Sequence, residues 1–89
     1  RRLRVRLWED FEGMTLQRVI GERLLVLRGL SGLTRQHAAD LAGCNRMLLY
    51  NYERGKYQPR LDLLQKILRV YGCSLSQFFA KWENGEPVA

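Results

Sequence analysis

The chain has 89 residues, of which 46% are hydrophobic and 27% are charged, and its formal net charge is +6. This length allows one domain with a small core, and the composition is that of an ordinary globular protein. The positive charge favours an anionic partner, most commonly a nucleic acid. We find no apolar run of membrane-spanning length and no signal peptide, so we expect a cytoplasmic protein without a membrane partner.

Basic residues are concentrated in the middle of the chain. Residues 14–82 contain eleven Lys and Arg against four acids, so a basic face can form on the folded part. The two cysteines, Cys44 and Cys73, are far apart, and the one histidine is His37. Because these residues form neither a C-x-x-C pair nor a cluster of ligands, we predict no metal site and no cofactor.

The first thirteen residues differ from the rest and are predicted to be an N-terminal extension. Arginines alternate with apolar residues over 1–7, which is the period of a strand, but the spacing of Leu3, Leu7 and Phe11 also fits a helix. Two interpretations remain open: an arginine arm along DNA, or a strand that pairs with its copy in a dimer. The apolar residues available for such pairing are Leu3, Val5 and Leu7.

Residues 14–82 are predicted to form a domain of helices, followed by a flexible tail over 83–89. An apolar stripe from Leu16 to Leu30 predicts the first helix, which ends near Gly32. Thr34 can cap a short second helix. The apolar positions of this helix are mostly alanines, which allow another helix to approach closely.

A three-residue turn that contains Gly43 joins the second helix to a third, capped by Asn45 and running from Arg46 to about Glu53. Two short helices joined in this way form a helix-turn-helix unit. In such a unit the second helix enters the major groove of DNA, and its N-terminal residues contact base edges.

Two more helices are predicted after the loop that follows the third. The fourth carries an apolar stripe and ends at Gly72. Ser74 and Gln77 have the spacing of a capping box, which opens a fifth helix that includes Phe79 and Trp82. The aromatic residues of this helix exceed the needs of a small core, so Phe79 and Trp82 are candidates for a dimer interface.

Several segments together carry a family resemblance. They are Ile20–Leu24, Leu33–Thr34, Ala42–Gly43, Asn51–Lys56 and Ser74–Phe79, with Pro59, Leu61, Leu64 and Ile67 at the expected spacing. Over about two thirds of its length the chain resembles the phage-repressor and Cro-like, or XRE-type, helix-turn-helix family of DNA-binding domains. The resemblance implies an all-α, compact, five-helix fold like that of lambda repressor.

The resemblance also implies a role for individual residues. Base edges would be contacted from the third helix by Arg46, Met47, Tyr50 and Asn51. DNA phosphates would be contacted at the rim by Arg35, Gln36, Arg54, Lys56 and Arg60. Arg28 and Glu53 would form an internal ion pair. The chemistry suits base readout, because Arg can bind guanine, Asn can bind adenine, and apolar side chains can meet thymine methyl groups.

We therefore expect a sequence-specific transcriptional regulator that binds double-stranded DNA as a homodimer. The alternative is a helix-turn-helix fold used to bind a protein, as in an antitoxin or adaptor, because Met47, Leu48 and Tyr50 make the reading face unusually apolar. An enzyme is not expected. No nucleophile lies beside His37 in a recognisable motif, no phosphate-binding glycine loop is present, and no catalytic residue is predicted.

Overall fold

The computed structural model describes residues 15–80 and, beyond them, the backbone at 82–83 and 86–87. The predicted all-helical, five-helix fold is confirmed. The helices are α1 (Leu16–Ser31), α2 (Arg35–Ala42), α3 (Arg46–Glu53), α4 (Leu61–Val70) and α5 (Leu75–Phe79). A small antiparallel pair of strands follows, β1 (Trp82–Glu83) and β2 (Glu86–Pro87), in which Trp82 is opposite Pro87.

The predicted helix caps are present. The side chains of Thr34 and Asn45 accept hydrogen bonds from backbone N–H groups in the first turns of α2 and α3. Ser74 and Gln77 form a reciprocal capping box at the start of α5. Each cap satisfies a backbone donor that has no partner within its own helix, which sets where the helix begins.

The predicted extent of the fifth helix is wrong at its C-terminal end. The helix ends at Phe79, Ala80 has extended backbone, and Trp82 lies in β1. In a longer helix the carbonyl of Phe78 would accept from the amide of Trp82. Here the Arg23 guanidinium of α1 donates to that carbonyl over 2.7 Å and to the carbonyl of Ala80 over 3.3 Å.

The core lies where the five helices meet, with α1 against α3 and α2 against α4. The largest fully buried side chains are Phe78, Leu24, Leu49, Leu64, Ile67 and Leu68. The buried residues of α2 are all alanines, namely Ala38, Ala39 and Ala42. These small side chains let α2 pack closely against its neighbours, which orients α3.

Candidate nucleic-acid interface

The turn between α2 and α3 is held by short-range hydrogen bonds. Gly43 has a φ of 78°, a left-handed conformation that glycine adopts without steric cost. The amide of Cys44 donates to the carbonyl of Ala39, and the amide of Leu48 donates to the Asn45 side chain over 2.7 Å. These bonds end α2 and start α3 within three residues, so the two helices meet as a helix-turn-helix unit.

One face of α3 is buried and the other lies at the surface. Leu49, Tyr52 and Glu53 point inward. The four residues predicted to read bases lie on the accessible part of the helix, where Arg46, Met47 and Tyr50 are exposed and Asn51 is half-buried. Leu48 differs from expectation, because it is half-buried and packs against the core. The exposed apolar surface of α3 is therefore narrower than the sequence suggested.

The carboxylate of Glu53 joins three helices. Its Oε2 lies 2.7 Å from Nε of Arg28 in α1, and its Oε1 lies 2.9 Å from Nε of Arg35 in α2. The Arg28 guanidinium also donates to the carbonyl of Leu33. The hydrogen bond to Glu53 is the largest cause that raises the pKa of Arg28. Because Glu53 itself belongs to α3, this cluster holds the helix-turn-helix unit against α1.

Arg35 thus has an internal role that the sequence did not reveal. Besides its bond to Glu53, its guanidinium lies over the Tyr50 ring at 5.1 Å from the centroid. The guanidinium of Arg54 lies over the same ring at 5.5 Å. Cation–π contacts of this kind restrain an aromatic ring. Tyr50 is therefore held on the surface of α3 by two of the arginines that were predicted to contact phosphates.

The remaining predicted phosphate ligands lie at the surface and make local contacts. Gln36 donates to Asp40 over 2.8 Å, and Lys56 lies over the Tyr57 ring. Arg60 pairs with Asp62 over 3.2 Å, but both side chains are largely exposed, so this pair is weak. Gln36, Lys56 and Arg60 all remain exposed despite these contacts.

Sequence reasoning missed three residues of α1 that position α3 and α5. The Gln17 amide donates to the carbonyl oxygens of Gly55 and Lys56, which anchors the loop after α3. Gly21 allows the backbone of α3 to approach α1. Arg23 is buried and bonds to the end of α5. The available signal for Gly21 and Arg23 was their place in the Ile20–Leu24 segment that carries the family resemblance, and Gln17 gave no sequence signal.

The candidate dimer residues lie in different parts of the chain. Phe79 is 37% exposed at the end of α5. Trp82 belongs to β1, where the structure describes the backbone but not the side chain. Leu3, Val5 and Leu7 also lie outside the described residues.

Within residues 15–80, no group of three or more potential metal ligands is found, and none of the helices could cross a membrane. Both cysteines are free thiols. Burial raises the pKa of Cys44 and of Cys73. A raised pKa favours the protonated thiol, which is a weaker nucleophile than the thiolate.

The chain belongs to the helix-turn-helix family, whose model matches residues 24–78. The regulator PuuR of Escherichia coli, named an HTH-type transcriptional regulator, is 41% identical over 64 residues. That match covers 72% of this chain and 35% of PuuR. An uncharacterized HTH-type transcriptional regulator of Methanocaldococcus jannaschii is 33% identical over 57 residues, covering 64% of this chain and 86% of its own length.

Solved structures show the same fold. The clp gene regulator ClgR of Corynebacterium glutamicum superposes with a TM-score of 0.70 at 23% identity, covering 73% of this chain and 83% of that chain. A hypothetical transcription factor, NHTF from Neisseria, gives a TM-score of 0.68 at 20% identity, and the match covers 74% of this chain and 76% of that chain. The chain spans about a third of the length of PuuR.

Proposed function

We propose that this chain is the DNA-binding domain of a transcriptional regulator and reads operator DNA in the major groove with α3. The exposed start of α3 carries the proposal. The guanidinium of Arg46 has no hydrogen-bond or ion-pair partner among the residues that the structure describes. It is available to bind guanine O6 and N7, and the half-buried Asn51 on the same helix can bind adenine.

Phosphate contacts are proposed for the surface residues around α3. Arg54, Lys56 and Arg60 are exposed at the end of α3 and in the loop before α4, and Gln36 is exposed on α2. Arg35 keeps 31% of its side chain exposed beside them. Such contacts fix the register of a protein on DNA and supply the salt-dependent part of its affinity.

We propose a homodimer on a two-fold operator, in which the α3 helices enter successive major grooves about 34 Å apart. The exposed Phe79 ring supports a seam at the end of α5, and Leu3, Val5, Leu7 and Trp82 are further candidates. The names of the relatives support regulation of transcription. A regulator that binds DNA must share the compartment of that DNA, which supports the predicted cytoplasmic location.

The test is selection of bound duplexes from a random DNA pool, followed by fluorescence anisotropy across a range of salt concentrations. We expect one enriched sequence, and we expect Arg46→Ala and Asn51→Ala each to weaken binding to it by about five- to 150-fold. Arg69→Ala is the matched control, because Arg69 is exposed at the end of α4 and lines a different groove. Binding that stays equal to that of a random duplex contradicts the proposal.

A second candidate function is recognition of a protein by the same face. The supporting observation is the exposure of Met47 (60%) and Tyr50 (40%). Both are large, mainly apolar side chains, and exposed apolar surface of this kind marks protein interaction sites. Substitution of the apolar residues separates the two functions. Protein recognition is favoured if Met47→Ala weakens binding to a partner protein while the wild-type chain selects no DNA sequence.

A further inference from the structure

A groove on the exposed side of the helix-turn-helix unit has an unusual lining. It is bounded by Arg35, Arg46, Met47 and Tyr50 and has a volume of about 290 Å³. Sites that bury a whole small molecule occupy ~300–1,000 Å³. This groove is open to the surface and small, so it suits a group that projects from a larger partner. Its apolar parts are Met47 and Tyr50, and its cationic parts are the two guanidiniums.

Building on the DNA-binding function proposed above, we propose that this groove recognises the C5-methyl group of a pyrimidine, next to a guanine that Arg46 binds. The methyl group of thymine is the one apolar group that unmodified DNA presents in the major groove. Cytosine methylated at C5 presents the same group at the same place. The thioether of Met47 and the ring of Tyr50 would be covered by this methyl group, while Arg46 binds the polar edge of the neighbouring base.

The Tyr50 wall of the groove is restrained by two cation–π contacts within the chain. Arg35 is held by Glu53 over 2.9 Å, and its guanidinium lies 5.1 Å from the centre of the Tyr50 ring. Arg54 contacts the same ring from the other end of α3. A wall that does not need to be ordered on binding saves conformational entropy. This assigns Arg35 as a positioning residue for Tyr50, in addition to any contact that it makes with a phosphate.

The arrangement also explains why cations flank an apolar groove. A guanidinium packs well against flat or apolar surfaces and is weakly hydrated, unlike an ammonium group. Arg46 can therefore lie beside the methyl group and still donate to guanine. A side chain that needed full hydration would be a poor neighbour for the methyl group.

The test compares bases that differ by one methyl group within the sequence selected from the random pool. Each thymine of a half-site is replaced in turn by uracil, and affinity is measured by fluorescence anisotropy at constant salt. We expect one position at which uracil weakens binding about fourfold, the effect of one buried methyl group. At that position a methylated C·G pair should bind about fourfold more tightly than an unmethylated C·G pair, which separates the methyl group from the base that carries it.

Two variants assign the effect to the groove. Met47→Ala should bind the thymine and uracil duplexes nearly equally, and because Met47 is 60% exposed the variant should fold normally. Arg35→Gln should also reduce the thymine-to-uracil ratio, a readout that a loss of phosphate affinity alone would leave unchanged. Arg69→Ala should keep the wild-type ratio.

The outcomes are distinguishable from those of the DNA-binding test. Selection of no sequence contradicts the function itself. The methyl-group proposal alone is overturned if the selected sequence contains no thymine. It is also overturned if uracil can replace every thymine of that sequence without loss of affinity. A ratio that survives in Met47→Ala overturns it as well, because the methyl group would then be read elsewhere.

Discussion

Gly21 of α1 faces the carbonyl oxygen of Tyr52 so closely that a Cβ atom at Gly21 would lie 2.5 Å from it. The same Cβ would lie 2.7 Å from the carbonyl oxygen of Glu53. Both obstacles are backbone atoms of α3, which cannot rotate away. The close approach brings the end of α3 to α1, beside the ion pair between Glu53 and Arg28.

We predict that Gly21→Ala destabilises the domain by about 1–3 kcal/mol, as overpacked sites do. Gly29→Ala is the matched control, because Gly29 lies in the same helix and an added Cβ would meet nothing within 4 Å. Alanine is the better helix former, so Gly29→Ala should stabilise by about 0.5–1 kcal/mol. Urea denaturation measures both. A gain of stability in Gly21→Ala would show that α1 and α3 are not in contact there.

We predict that Glu53→Gln lowers the free energy of unfolding by about 3 kcal/mol or more, because two arginines then lose their counter-charge beside a side chain that is 3% exposed. Asp62→Asn is the control, since it removes an ion pair with Arg60 whose side chains are 83% and 67% exposed. That change should cost less than about 1 kcal/mol. Equal losses in thermal denaturation would contradict the buried role of Glu53.

We predict that Arg23→Met destabilises the domain by about 2 kcal/mol, because it removes charge-assisted hydrogen bonds to the carbonyls of Phe78 and Ala80 while keeping an apolar side chain. The loss should be largest at α5, so amide hydrogen exchange over 75–80 should accelerate most. Arg69→Met, at an exposed site of α4, should leave this exchange unchanged. Exchange that rises evenly over all helices would argue against a local role for Arg23.

We predict that Tyr71→Phe keeps or raises stability at neutral pH, by up to about 1 kcal/mol, because the buried Tyr71 hydroxyl has no hydrogen-bond partner among the described residues. Burial, aided by the charge of Glu53, raises the pKa of Tyr71 above its ordinary value of 10.0. Above pH 10 the unfolded chain releases this proton while the folded chain retains it, so the wild-type loses stability as the pH rises.

Tyr71→Phe should lose less stability than the wild-type between pH 9 and pH 11, which urea denaturation at each pH measures. Tyr57→Phe is the control, because Tyr57 is 47% exposed and its substitution should leave the wild-type pH profile unchanged. A steeper alkaline loss in Tyr71→Phe than in the wild-type would contradict the prediction.

Features that depend on neighbouring residues were predictable from the sequence. Thr34, Asn45 and the box of Ser74 and Gln77 begin their helices through hydrogen bonds that span three residues. Gly72 ends α4 because its left-handed backbone, with a φ of 72°, suits glycine. Since each feature depends on a few consecutive residues, the starts of α2, α3 and α5 and the end of α4 could be predicted from the sequence.

The site was predicted less completely than the helices. The sequence does not indicate which of several neighbouring side chains a given side chain will bind. Arg28 and Glu53 were paired by family resemblance, and the structure brings them together. The resemblance implied that Arg35 contacts a DNA phosphate. In the structure its Nε pairs with the carboxylate of Glu53, the group that also binds Arg28. Leu48 was expected on the reading face but packs partly against the core.

The sequence by itself determined the helices, their caps, the glycine turn and the presence of basic and apolar side chains on α3, because these depend on local hydrogen bonds and on periodicity. The tertiary structure alone decided where α5 ends, since Arg23 lies 55 residues from Phe78 in the chain. It likewise decided that Glu53 joins three helices and that Tyr50 is held by two arginines. Those relationships depend on how the helices cross, and many positions of a helix could make each contact until packing selects one.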